Sequence, residues 1–244
     1  MLKSIQRVGL AGIGLLAAST VGVAEGRPAE CTDDAMLVFD GSGSMDAISH
    51  NGLKSPRIDE ARAAIEESMP QISPFRKLGL LIFGPGPAES CSNIDLCFRP
   101  QSNAGPRIIA DVDALTPVGQ TPLTNSVDEA VDALDLKDDP GVVVLLTDGR
   151  ESCGGDPCAL AAQIAAEQNV TVHVIGFKVR AQHFQWNGQG AKNRETSARC
   201  LADQTGGKYV STESTEELVK ALQDMLSCPM VADDAWRELA DPQG

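Results

Sequence analysis

Cations and histidines are scarce in this chain. Only 20 of its 244 residues are Lys or Arg, against 34 Asp and Glu, for a formal charge of −14 at pH 7. That balance makes nucleic acid and anionic lipid surfaces poor partners; divalent cations and basic or neutral protein surfaces suit it better. Many of the acids also simply keep a protein soluble. The three histidines are His50, His173 and His183. His173 falls inside a strand-like run and the other two in loop-like segments, so a nucleophilic triad has little material and all three read as structural or solvated. Several signatures are missing. Gly206-Gly207-Lys208 lacks both the upstream glycine and the following hydroxyl of a phosphate-binding loop. There is no Gly-x-Gly-x-x-Gly after the first strand, no His-Glu-x-x-His and no Gly-x-Ser-x-Gly elbow. Beyond the N-terminus, no apolar run is long enough to span a bilayer.

The N-terminus itself carries Lys3 and Arg7, then 17 uncharged residues, 8–24, ending in small side chains. This reads as a secretory signal peptide cleaved after Ala24; an uncleaved membrane anchor is the alternative. Residues 25–32 form a linker, 33–228 one domain and 229–244 a C-terminal tail. Removing residues 1–24 takes away Lys3 and Arg7 and no acid, leaving 18 cations against 34 acids and a net charge of −16. The expected location is secreted or periplasmic. All seven cysteines lie in the exported part, where disulfides are favoured. Cys91 and Cys97, close in sequence within a Gly/Pro/Ser-rich loop, are expected to close it. Cys31 precedes the first strand and Cys228 follows the last helix, and together they could clip the domain shut. Cys153, Cys158 and Cys200 remain, with only one pair possible among them, leaving a free thiol or an intermolecular bridge. Irregular spacing and scarce histidine argue against zinc.

Apolar runs at 35–40, 78–83, 142–146 and 170–177 predict buried strands, with shorter strands at 96–98 and 208–210. Helical periodicity predicts helices at 57–69, ended by Pro70, and at 107–115, 122–134, 157–168, 196–205 and 216–226. Strands alternating with helices, most strands being apolar throughout, predict an α/β fold. It would be doubly wound, with a mostly parallel central sheet of about six strands, one antiparallel edge strand at 96–98 and helices on both faces.

Three segments carry the chemistry. In 37–45 (LVFDGSGSM) a buried strand ends in Asp40 and places Ser42 and Ser44 on a glycine-rich turn. One carboxylate and two hydroxyls at i, i+2 and i+4 form a hard-oxygen corner suited to Mg²⁺ or Mn²⁺. In 118–134, Thr121 sits in a Gly-Gln-Thr-Pro loop before a helix, with Pro122 suited to the first helical position. In 141–153, Asp148 follows another apolar run and precedes Gly149. The predicted topology delivers all three to one sheet edge, where ligands bind in open α/β folds. Loops 84–95 and 178–195 belong on that edge too. The second displays Phe184 and Trp186, either as loop packing or as partner contacts.

The order Asp-x-Ser-x-Ser, Gly-x-Thr-Pro-Leu, Thr-Asp-Gly resembles the von Willebrand factor type A family and its metal-ion-dependent adhesion site, over about residues 33–228. The resemblance implies that the hydroxyls of Ser42, Ser44 and Thr121 touch a metal. Asp40 and Asp148 would lie beside it, directly or through water. Mg²⁺ is the expected ion, with Mn²⁺ or Ca²⁺ as alternatives. The expected function is not enzymatic: an exported module that binds a protein ligand whose acidic side chain completes the metal's coordination. In the family such bridging is coupled to movement of the last helix, and a Cys31–Cys228 clip would restrict that movement. Two other readings stand beside this one. One is a structural subunit of an envelope assembly whose metal only stiffens loops. The other is a metal-assisted hydrolase, which lacks a histidine base in the three motifs. No nucleic-acid partner is expected, and membrane contact only through an uncleaved anchor.

Overall fold

In the computed structural model the described residues are 31, 33–48, 55–136, 139–167, 169–179 and 190–228, without the side chains of 190–197. The expected signal peptide 1–24, the linker 25–32 apart from Cys31, the tail 229–244, and Phe184 and Trp186 lie outside the described residues.

Six strands form one sheet: β1 (Asp34–Asp40), β2 (Leu78–Phe83), β3 (Ile94–Gln101), β4 (Gly141–Thr147), β5 (Val170–Phe177) and β6 (Tyr209–Thr212). Their spatial order is β3-β2-β1-β4-β5-β6. Every pairing is parallel except β2 with β3. Six helices connect them: α1 (Arg57–Ile72), α2 (Gly105–Ala114), α3 (Leu123–Ala133), α4 (Pro157–Glu167), α5 (Gly190–Thr205) and α6 (Thr215–Leu226). Because β2 and β4 are buried along their whole length, and β1 from Ala35 onward, both faces must be covered. Leu37 and Phe39 of β1 face the helices α1, α2 and α6. Met36 and Val38 face α3, α4 and α5. This is the doubly wound α/β fold read from the sequence. Its chain runs outward in both directions from β1, so the switch of strand order lies between β1 and β4. A cleft outside the carboxyl ends of strands opens at such a point.

Three local expectations need correction. The segment expected as a loop over 178–195 is already helical at Gly190, where α5 begins. Pro70 does not end α1; the helix continues to Ile72, and the Ser73 amide donates to the Met69 carbonyl at 3.0 Å. Proline costs one amide donor but its ring already holds a helical φ, and the extra turn buries Ile72 completely. The edge strand β3 is longer than 96–98: it pairs irregularly with β2 and runs, mostly half-buried or exposed, from Ile94 to Gln101.

The Cys91–Cys97 loop closure is also not what forms. Cys91 bridges Cys153, Cys158 bridges Cys200, and Cys31 bridges Cys228. Cys97 is a free thiol. The reason is extension: β3 begins at Ile94 and rises about 3.3 Å per residue, which carries Cys97 away from the loop holding Cys91. Burial and the nearby Asp95 push the Cys97 thiol up to about 11, so it stays protonated. The Cys31–Cys228 bridge joins the end of α6 to the start of β1. Arg76 reinforces it by donating to the Leu226 carbonyl at 3.2 Å and to the Asp33 carbonyl at 3.1 Å.

That bridge closes a loop with a sequence separation of 197. A Cys31→Ser/Cys228→Ser double variant is expected to lose up to about 5 kcal/mol, the chain-entropy value for so long a loop. Urea unfolding with the other two bridges intact checks this. His173, on β5, accepts a hydrogen bond from the Lys208 amide at 3.0 Å, and burial pushes its pKa down to about 4. The unfolded chain takes up this proton near the ordinary imidazole value of about 6.5, while the folded chain resists it. Stability is therefore expected to be complete above pH 6.5 and to fall as pH drops toward 4. In His173→Gln that part of the pH dependence should disappear from urea midpoints.

Candidate metal centre

The site is built where β1 and β4 end side by side. Asp40 closes β1 and Asp148 follows Thr147, the last residue of β4; both carboxylates are fully or almost fully buried. Each is satisfied by different donors. The Ser42 amide donates to Asp40 Oδ1 at 2.8 Å, and the Thr147 hydroxyl donates to Asp40 Oδ2 at 2.5 Å. The Ser44 hydroxyl donates to Asp148 Oδ1 at 2.5 Å, and Arg57 Nη1 donates to Asp148 Oδ2 at 2.5 Å. Ser42 and Ser44, on either side of the start of a 3-10 turn at Gly43–Asp46, bring their hydroxyl oxygens within 3.0 Å of each other.

Thr121 reaches this cluster through its loop. Its amide donates to the Ser152 hydroxyl at 2.8 Å, and the Ser152 amide donates to the Thr121 carbonyl at 3.1 Å. A Cβ on Gly149 would lie 3.6 Å from Ser44 Oγ and 3.7 Å from Thr121 Oγ1. Both hydroxyls therefore face the bare side of Gly149, beside Asp148. Asp40, Ser42, Ser44, Thr121 and Asp148, the five residues singled out in the sequence, are thus brought together at one corner.

Close backbone contact is what permits this. The Gly43 amide donates to the Gly119 carbonyl at 3.0 Å, and the Gly119 amide to the Gly84 carbonyl at 2.8 Å. A Cβ on Gly43 would come within 2.6 Å of the Val118 carbonyl oxygen, and one on Gly119 within 2.3 Å of the Gly84 oxygen. Any side chain here would push the Thr121 loop off the Ser42–Ser44 turn. A disulfide holds the other side. Cys91–Cys153 ties the loop after β2 to the loop after Asp148, and the Glu151 carboxylate accepts from the amides of Cys153 and Thr124 at 2.6 and 2.8 Å.

The electrostatics follow from burial. Desolvation, and then the neighbouring Asp148 charge, push Asp40 up to about 7 despite the bonds from Ser42 and Thr147. Desolvation also raises Asp148, against the pull of Ser44 and Arg57. Two carboxylates that disfavour each other's charge, ringed by three neutral hydroxyls, fit a small divalent cation. Among the described residues no three His, Cys, Asp or Glu side chains form a metal-holding cluster. The donor set that does converge is hard oxygen, the chemistry of Mg²⁺, Mn²⁺ or Ca²⁺.

Four contributors escaped the sequence reading. Thr147 was visible only as a neighbour of Asp148, Ser152 and Glu151 only as part of the following loop, and Arg57 only as the start of a helix. Thr147 belongs to the Thr-Asp-Gly motif but carried no assigned role; the other three have no spacing signal, because each acts across the sheet edge rather than along the chain.

An open parallel sheet with a hydroxyl-rich, two-carboxylate corner at its switch point defines a class of interaction domains. The family model for the von Willebrand factor type A domain matches residues 34–225, and the chain belongs to that family. It is 28% identical over 230 residues to the uncharacterized protein YwmD of Bacillus subtilis (strain 168), covering 90% of this chain and 96% of that one. The fold also resembles an aerotolerance-related membrane protein from Bacteroides fragilis NCTC 9343. There the TM-score is 0.55 at 14% identity, with 80% of this chain and 98% of the other covered. The pilus adhesin SpaC from Lactobacillus rhamnosus GG gives a TM-score of 0.57 at 13% identity, over 82% of this chain and 31% of the adhesin. These likenesses establish the architecture alone.

The Thr147 hydroxyl gives a prediction independent of any ligand. Thr147→Ala leaves a buried Asp40 oxygen without its donor and is expected to cost about 1.5–3 kcal/mol in urea unfolding. Thr147→Ser should recover most of that loss.

Proposed function

We propose that this chain is an exported, non-enzymatic module that binds a protein partner through a divalent metal. Ser42, Ser44 and Thr121 would hold the ion through their hydroxyls, with Asp40 and Asp148 beside them, directly or through water. The observation that carries this reading is the convergence of these five oxygen-bearing side chains on one sheet edge. Three neutral hydroxyls and two acids leave an ion electron-poor and open to one more oxygen. An acidic side chain from a partner is the natural donor. Mg²⁺ suits a small set of this kind, with Mn²⁺ or Ca²⁺ as substitutes.

Protein contact is supported by the surface around the corner. Of the three exposed large hydrophobics among the described residues, Ile48 follows the Ser42–Ser44 turn and Val118 abuts Gly43. Single exposed apolar residues are ordinary, but two on the loops carrying one corner supply contact area next to a charged anchor. Phe184 and Trp186 are further contact candidates. Export is supported by three disulfides, which persist in oxidising compartments. The leader 1–24 supplies the route, to the periplasm or beyond. The Cys31–Cys228 bridge holds the last helix to the first strand, which favours a binder that switches weakly.

A second reading, a structural subunit whose metal only stiffens loops, has less in its favour, since Cys91–Cys153 already stiffens the same edge covalently. A hydrolase is the weakest reading, since His173, the only histidine among the described residues, is bound up with Lys208 rather than placed at the corner.

The full chain would be immobilised and exposed to envelope extract in Mg²⁺, in EDTA, and as Thr121→Ala in Mg²⁺. The expected outcome is a protein retained only by wild type in Mg²⁺. Retention indifferent to chelation and to Thr121→Ala would overturn metal-bridged binding and leave the structural reading.

A further inference from the structure

Among the described residues Arg57 is the cation that pairs with an acid of the corner, and the metal-site reading gives it no role. It opens α1, and its position is fixed from two sides. Its amide donates to the Ala47 carbonyl at 3.2 Å, and Ile48 bridges Pro56 just before it. Its side chain, 8% exposed, passes beneath the turn that carries the serines. There Nη1 donates to Asp148 Oδ2 at 2.5 Å and lies 3.4 Å from the Ser44 carbonyl. The buried Nε has no hydrogen-bond partner. A guanidinium does not give up its proton, so this charge is permanent and needs a counter-ion. The next acid along the buried face of α1, Glu60, is taken by the buried Lys178. Asp148 is therefore the counter-ion of Arg57.

We infer that Arg57 sets the metal affinity and the ligand charge of this corner by competing with the ion for Asp148. The inference rests on the metal-site reading above. With both acids ionised, as a bound cation favours, the two carboxylates and the one guanidinium among the described residues give the corner a single negative charge. A divalent ion added to them makes it singly positive, with two cations drawing on one buried carboxylate. Two consequences follow. Arg57 weakens the ion's hold, so that occupancy responds to the surrounding divalent concentration. It also makes an anionic group the favoured ligand, because only an anion restores neutrality in a poorly solvated place. The selectivity for an acidic partner thus comes from α1 as well as from the ion.

Titration calorimetry with Mn²⁺ alone tests this on the full chain. Arg57→Gln keeps a hydrogen-bond donor to Asp148 and removes the charge; it is expected to bind Mn²⁺ at least about tenfold more tightly than wild type. Arg57→Lys keeps the charge and is expected to stay within about threefold of wild type. Thermal unfolding should show a larger Mn²⁺-induced rise for Arg57→Gln than for wild type. Equal or weaker Mn²⁺ binding by a folded Arg57→Gln overturns the inference, as does an equal change in both variants, which would mark a packing role. Should Arg57→Gln fail to fold, the Arg57 Nε–H resonance of wild type during Mg²⁺ titration decides. A shift that follows Mg²⁺ binding supports competition, and an unmoved resonance overturns it. Wild-type binding that Asp148→Ala abolishes and Arg57→Gln does not strengthen removes only the role of Arg57. Silence from wild type and Arg57→Gln alike removes the metal reading and this inference together.

Discussion

Two carboxylates, Asp40 and Asp148, stand at the ends of neighbouring parallel strands, both out of contact with bulk water. Burial raises the cost of ionising both, the Asp148 charge adds to it at Asp40, and the surroundings are arranged to contain that cost. Thr147 and the Ser42 amide hold Asp40; Ser44 and Arg57 hold Asp148. The parallel pairing of β1 and β4 is what sets the two acids side by side. The turn after β1 then supplies hydroxyls to the same small volume. A corner of this kind is stable as protein because every acid oxygen has a donor. It is suited to a cation because several of those donors are neutral hydroxyls, able to turn an oxygen toward an ion.

The loops around the corner are held to unusually little freedom. Gly43, Gly119 and Gly84 stack three loops backbone to backbone, closer than any side chain allows. Cys91–Cys153 crosses from the loop after β2 to the loop after Asp148. On the opposite end of the domain, Cys31–Cys228 and Arg76 tie α6 to the approach to β1. Such cross-linking reduces the entropy lost when loops order around a ligand. It also limits how far a helix can travel in response. Tight presentation of a small polar anchor is a sensible arrangement for a recognition surface, and the same constraint would serve a structural subunit.

Membership of the von Willebrand factor type A family fixes the architecture and the general character of an interaction domain. It does not by itself carry a partner, since one fold hosts many sites. What distinguishes this chain is its own side chains: the five converging oxygen-bearing residues, the apolar residues on the same loops, and Arg57 beneath them. Arg57 shows why that matters. A permanent positive charge paired with Asp148 alters the electrostatic character of the corner without altering any of the motif residues.

The alternation of apolar strand runs with helical periodicity was enough to determine the parallel sheet and its covered faces. A strand buried on both sides has to be apolar at every position, and that signal is local. Asp40, Ser42, Ser44, Thr121 and Asp148 were legible for a related reason: each lies in or beside a short stretch whose turn glycines and following proline mark a strand end or helix start. Contacts made across the chain were not legible. Pro70 could continue α1 only because Ile72 had a core to enter. Cys91 finds Cys153 rather than Cys97 because β3 extends one thiol away while the sheet edge brings the other near. Ser152 and Arg57 are ordinary residues in sequence, and they and Thr147 gain their roles from what lies opposite them. The sequence by itself therefore determined the fold class and marked the oxygen-bearing residues that meet at the corner. Only the tertiary structure decided which thiols join, which groups neutralise the two acids, and that a buried guanidinium shares the corner, because those outcomes depend on distances between segments that no local pattern encodes.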